Sequence, residues 1–282
     1  MYACIGLWHA LCIISSTKLN DMKKYIYIIA LFGLFFGLTS SNEISYPTVS
    51  NSAFEVGEQL RYRVTYGFMD AGEAIMEVKN TTRKGAGERS MYHVVGTGRT
   101  LGGFNAFYKV RDVYESYIDQ ESIMPWYFKR DVNEGGYKIE QNYKFRQNKY
   151  KVYNGEKHFE TPMGVQDMIS SFYKARTLNM KGMKPGKIFE FNCFMDDEVY
   201  NLKIKYVGDE TIRIRKGKFK CHKFVPVVQT GRYFENEEDV QFWVTADKNK
   251  IPVLVKAKIP VGTVKMHLVE WNGLKNELSS KL

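Results

Sequence analysis

From residue 55 onward, apolar and polar residues exchange places at almost every step, and this period of two is the strongest constraint on the fold. Segments 60–66, 74–78, 91–95, 110–118 and 137–145 carry the pattern. So do 188–195, 199–207, 211–215, 219–228, 240–245, 251–259 and 264–271. β-branched and aromatic residues fill them, as suits a pleated, half-buried surface. Turn residues separate them. Asn154-Gly155 is the clearest hairpin signal, and Gly135-Gly136, Val207-Gly208-Asp209, Lys216-Gly217 and Asp247-Lys248-Asn249 are further turns. Closely spaced strands with few helices between them predict a mainly β protein, an antiparallel curved sheet or barrel-like meander.

One segment changes period. Val165, Met168, Ile169, Phe172, Tyr173 and Arg176 fall at helical spacing after Pro162, and Gly182 follows. They predict one amphipathic helix over 165–178, set to plug a barrel end or cover a sheet face. A single β domain over 55–275 is expected, since no Pro/Gly/Ser-rich linker interrupts it; two β lobes joined by the helix are the alternative. Residues 42–54 read as a flexible lead-in and 276–282 as a tail.

The first forty residues bear on compartment. Lys23 and Lys24 precede a charge-free apolar run from Tyr25 to Leu38, followed by the small residues Thr39, Ser40 and Ser41. This is the layout of a secretory signal peptide over 22–41, cleaved after Ser41. The run is shorter than the ~20 residues of a membrane-spanning helix, so no transmembrane segment is expected in the mature chain. Residues 1–21 read as an upstream extension before the true initiator, Met22. Removing residues 1–41 takes away three lysines and one aspartate and lowers the net charge from +10 to +8. A basic cytosolic chain would suggest nucleic acid. Export and interspersed charges argue against it, and no nucleic-acid partner is expected. Two cysteines remain, Cys193 and Cys221. Alternation points both inward, and export permits a disulfide between them without requiring one.

Signatures of chemistry are sparse. His93, His158, His222 and His267 stand far apart, without the close spacing of a metal site. Gly-x-Ser-x-Gly does not occur, and 182–187 shares only composition with a phosphate loop. Gly96 and Gly98 miss the dinucleotide fingerprint and suggest a bulge or turn. No metal or cofactor is implied. Asp196, Asp197 and Glu198, and Glu235, Glu237, Glu238 and Asp239, cluster as a carboxylate pair would require, but read as solvated loops. No catalytic residue is assigned, and the chain leans away from being an enzyme.

Aromatics are the unusual feature: 19 Tyr, 18 Phe and 4 Trp. Where they alternate with Arg and Lys they can line a groove for lipid or sugar. Trp126, Phe128, Arg130 and Tyr143, with Phe172 and Arg176 of the helix, are the candidate ligand-binding residues. Core packing is the competing use of the same rings.

Three stretches carry a resemblance to a known family. They are 57–67 with Asp70-Ala71-Gly72-Glu73-Ala74, then 166–176, and then 242–247 with Ile251-Pro252-Val253 and Val261-Gly262-Thr263-Val264. Together they resemble an exported bacterial family, domain of unknown function 3108. The resemblance implies a leader, a β domain and a place in the periplasm or outer envelope of a Gram-negative bacterium. It carries no catalytic residue. The expectation is therefore an exported, non-catalytic envelope protein that binds an apolar or amphipathic ligand, or a partner protein, in the concavity of its sheet. The alternatives are an assembly scaffold in envelope biogenesis and a hydrolase of envelope glycan or lipid. Lipid, glycan and envelope protein are the candidate partners.

Overall fold

The alternating segments pair as fourteen strands of one antiparallel sheet. They are β1 (Gln59–Tyr66), β2 (Met69–Lys79), β3 (Met91–Thr100), β4 (Arg111–Asp119), β5 (Pro125–Glu134), β6 (Tyr137–Arg146), β7 (Lys151–Tyr153) and β8 (His158–Glu160). After a helix come β9 (Ile188–Met195), β10 (Glu198–Ile214), β11 (Gly217–Pro226), β12 (Val240–Thr245), β13 (Pro252–Ile259) and β14 (Gly262–Asn272). The computed structural model describes residues 45–227, 239–259 and 262–282. The signal segment 22–41, its cleavage at Ser41, the extension 1–21, and Glu235, Glu237 and Glu238 lie outside the described residues. Tyr46–Leu282 form one compact unit.

Strand order is β8-β7-β6-β5-β4-β3-β2-β1-β14-β13-β12-β11-β10-β9. Each half is a meander of sequence neighbours, and the β1–β14 pair joins them at the centre. The sheet is not closed, because β8 and β9 are its edges. The first cluster of buried side chains includes Val94, Ile118, Phe128, Phe145 and Tyr173. The second includes Leu60, Phe219, Trp243, Val253 and Leu268, with Leu274 and Leu278 of the C-terminal segment packed against it.

Several local expectations change in the structure. Segments 199–207 and 211–215 are one strand, β10, because Gly208 at φ +144° makes a bulge after Tyr206 instead of a turn. Gly96 and Gly98 lie inside β3 and pair regularly with β2 and β4. The one-turn helix α1 (Phe104–Phe107) adds to the single helix expected, and α2 (Met168–Arg176) is shorter than 165–178. The reason lies at Gln166, whose N–H donates to Asn192 O and whose carbonyl accepts from Phe194 N, so the chain there is held against β9. Residues 49–54, read as flexible, are packed: Ala53 and Phe54 are fully buried, and Val49 N donates to Glu121 O at 2.7 Å. The C-terminal tail is pinned by Lys220 N to Ser280 O and Leu282 N to Lys218 O, both 2.9 Å.

Candidate functional site

The helix α2 organises the site. Asp167 caps it: one carboxylate oxygen accepts from the backbone N–H groups of Ile169 and Ser170, and Ser170 Oγ accepts from Asp167 N. The other oxygen accepts from Ser116 Oγ of β4 at 2.6 Å, which ties the helix start to the sheet. Burial pushes the Asp167 carboxyl up to about 6, against the pull of those hydrogen bonds. Gly96 explains how closely the helix lies. A Cβ there would stand 3.0 Å from Met76 Sδ and 3.5 Å from Ile169 Cδ1.

Helical spacing gives α2 two working faces. Ile169 and Tyr173, one turn apart, are buried in the first cluster. Met168, Phe172 and Arg176, again one turn apart, face a cavity of about 530 Å³ between α2 and the second half of the sheet. Its sheet wall follows from strand register. Phe191 pairs with Leu202, and Ile204 with Pro226. Phe224 pairs with Phe242, Phe242 with Val255, and Val255 with Met266. Paired residues share a face, so these apolar side chains form one row across β9 to β14. Among the described residues, only Ser171, Arg176 and Lys250 bring polar side chains to the lining. The size and apolar lining are those of small-molecule sites, which span ~300–1,000 Å³.

Arg176 is not free for a ligand. Its Nη1 and Nη2 each donate to a Glu58 carboxylate oxygen at 2.6 Å, Nη2 also to Ala53 O, and Nε to Asn249 O. Both residues are almost fully buried. Burial works against the charged guanidinium, but the Glu58 carboxylate outweighs it and raises the Arg176 pKa.

The six candidate ligand residues therefore separate. Phe172 and Arg176 line the cavity. Phe128 and Tyr143 are stacked in the first cluster with ring centroids 6.1 Å apart. Trp126 is buried, its Nε1 donating to Asp119 at 3.2 Å. Arg130 pairs with Asp196. The 196–198 segment is thus a latch as well as a turn: Asp197 accepts from Tyr143 Oη and Asn154 Nδ2, both at 3.0 Å, holding the β9–β10 turn to β6 and to the β7–β8 turn. Phe194 completes the contact, edge-on to Tyr143 at 5.0 Å. Cys193 and Cys221 are both free and buried, without a bridge between them. Burial pushes each thiol up to about 12.

A second, polar groove of about 380 Å³ crosses β2 to β5, lined by Glu73, Arg99, Arg111, Asp112 and Asp131 among others. Arg99 engages Glu73 at 2.9 Å. Asp112 accepts from Asn133 N and is hydrogen-bonded to Glu134, whose carboxyl is held up by burial and by the Asp112 charge. Of the carboxylates singled out from the sequence, the described ones, Asp196, Asp197, Glu198 and Asp239, do not line it. Among the described residues no group of three or more His, Cys, Asp or Glu could hold a metal ion, and no helix is long and apolar enough to cross a membrane.

Sequence reasoning missed the sheet wall and Lys250. Each wall residue sits in a segment whose alternation was visible. What puts Phe191, Phe224, Phe242 and Met266 in one row is the register of five successive strand pairs, which alternation does not encode. Lys250 lies at the predicted 247–249 turn, and nothing in its local sequence points to a cavity.

Comparison with known proteins shows the family and one similar fold. The family model described as "Protein of unknown function (DUF3108)" matches residues 61–269. Among solved structures, the beta-barrel-like protein of domain of unknown function DUF1849 from Brucella abortus is similar with a TM-score of 0.52 at 10% identity, covering 78% of this chain and 98% of that one. The hypothetical protein CT021 from Chlamydia trachomatis aligns with a TM-score of 0.36 at 10% identity, over 79% of this chain and 89% of that one. A Bacteroides fragilis protein described as a candidate exported protein with a YmcC-like fold aligns at 0.30 and 10% identity, over 80% of this chain and all of that one. The first likeness concerns the fold alone. No curated protein matches the sequence significantly.

Proposed function

The chain belongs to the DUF3108 family, and we propose that it is an exported, non-catalytic protein of the cell envelope that holds an apolar or amphipathic ligand between α2 and the sheet. The observation that carries this reading is the cavity of about 530 Å³, whose helix side and sheet side are both apolar. Large side chains left half-buried around a void are the usual form of a small-molecule site. Export rests on the basic, apolar and small-residue layout of 22–41. It places the mature chain in the periplasm or outer envelope, with its N-terminus at Asn42.

The test is native mass spectrometry of protein prepared from its own envelope without detergent. A mass adduct is expected, and Ala175→Trp, which fills the space beneath the helix, should abolish it. A clean apo mass in the parent protein would count against the ligand, and an assembly role without a small ligand would then take its place. In-cell crosslinking separates those two.

The polar groove favours a second reading, hydrolysis of envelope glycan or lipid, with Asp112 in the lining and Glu134, its carboxyl raised, hydrogen-bonded to it. Turnover of such polymers that is lost in Asp112→Asn and Glu134→Gln would establish it. Equal behaviour of both variants and parent would remove it.

A further inference from the structure

Charge is distributed unevenly around the cavity. Its apolar row crosses six strands, and with strands spaced ~4.8 Å apart it runs for roughly 24 Å along the sheet. Among the described residues two cations meet the lining, and of these Arg176 alone is held by a carboxylate. Arg176 is held bidentately by Glu58 at 2.6 Å and gives two more donors to Ala53 O and Asn249 O. Lys250, just before β13, has no such partner. The contact made by its ammonium is with Lys248 O, at 3.4 Å, although an ammonium carries three donors.

The charge of Asp247 favours the Lys250 ammonium, but its carboxylate makes no hydrogen bond to that group. Asp247 spends Oδ1 on Thr245 Oγ1, Asn249 N and Lys250 N, and Oδ2 on Ser280 N. Those bonds shape the turn, and they hold Lys250 at φ +47°, a left-handed conformation that glycine or asparagine would adopt more easily. Burial, and then the positive charge of Arg176, lower the pKa of the Lys250 ammonium, and the Asp247 charge offsets them only in part. An anion beside it would offset both effects.

We propose that the cavity takes an amphiphile with an anionic head, a carboxylate or a phosphate monoester, whose apolar chain lies along the row from Phe191 to Met266 and whose head pairs with Lys250. The inference rests on the ligand-binding reading above and specifies its chemistry.

Three probes of equal chain length test it below their critical micelle concentrations: hexadecanoate, hexadecyl phosphate and hexadecanol. The mature protein should bind at least one of the anions about ten- to a hundredfold more tightly than the alcohol, the range of one charge-assisted hydrogen bond. Which anion binds tighter separates a fatty-acid head from a phospho head. Lys250→Met should remove the preference by bringing the binding of the anions down to that of hexadecanol, while Lys250→Arg should restore it. If parent and Lys250→Met both bind acids and alcohol alike, the anionic head is overturned and the cavity reading stands. If no probe binds the parent, the cavity reading fails and this inference with it. Circular dichroism of the variants separates lost binding from lost folding.

Discussion

Glu58 and Arg176, 118 residues apart in sequence, meet as a buried bidentate ion pair at 2.6 Å, fastening the start of the β domain to the end of α2. Burying two charges costs several kcal/mol, offset only where geometry and extra hydrogen bonds are good. Here the guanidinium also reaches two backbone carbonyls. Removing one partner strands the other: Glu58→Gln or Arg176→Met is expected to destabilise by about 3–5 kcal/mol in urea unfolding. The double change Glu58→Leu with Arg176→Met should cost less than either single change. A double variant as unstable as the sum of the two singles would show that the residues act independently.

Asp167 sets a pH dependence of definite sign. Its folded carboxyl titrates at about 6, above the unfolded value near 3.9. The native state therefore binds more protons between those values, and stability falls as pH rises through that window. The loss is on the order of 3 kcal/mol by pH 7. Asp119 behaves oppositely: burial would raise it, but Arg89 and its other hydrogen-bond partners bring it to about 2. Its contribution is present above the unfolded value and lost only as pH falls through the window down to about 2. Asp167→Asn keeps the cap acceptor without the charge. It should flatten the stability profile between pH 4 and 7 relative to the parent; an unchanged slope would remove Asp167 as its source.

Gly96 controls how closely the helix approaches. Gly96→Val would drive a branched side chain toward Met76 and Ile169. Overpacking of this kind costs typically about 1–3 kcal/mol. Displacement of α2 should also weaken cavity binding, while Gly98→Val, whose nearest contact would be Asp112 Cβ at 3.9 Å, should leave it largely intact.

The edge strand β9 is held to the first half of the sheet by side chains where no ladder closes it. Asp197→Ala, which releases Tyr143 and Asn154, should speed hydrogen exchange in β9 and β10 while leaving β1 and β14 protected. The cost of leaving a buried hydroxyl unsatisfied is about 1–3 kcal/mol. Uniform exchange across all strands would argue against a local latch.

Cys193 and Cys221 give a simple check on burial. Both sit at about 12 and are protonated at neutral pH. Non-reduced mature protein should titrate two thiols in denaturant and almost none when native. Fewer than two in denaturant would indicate oxidation of the pair.

Alternation of side chains by itself determined that this chain is built from antiparallel strands, and a change of period marked α2. Those features are local: which face a residue takes is decided by its immediate neighbours and the pleat. The sequence also pointed to Phe172 and Arg176, because helical spacing places them together. The row from Phe191 to Met266, the silencing of Arg176 by Glu58, and the exposure of Lys250 to a cavity were decided only in the tertiary structure. Strand register, a bulge at Gly208 and one close glycine contact set them, and these depend on pairings between distant segments whose energies no single stretch of sequence contains.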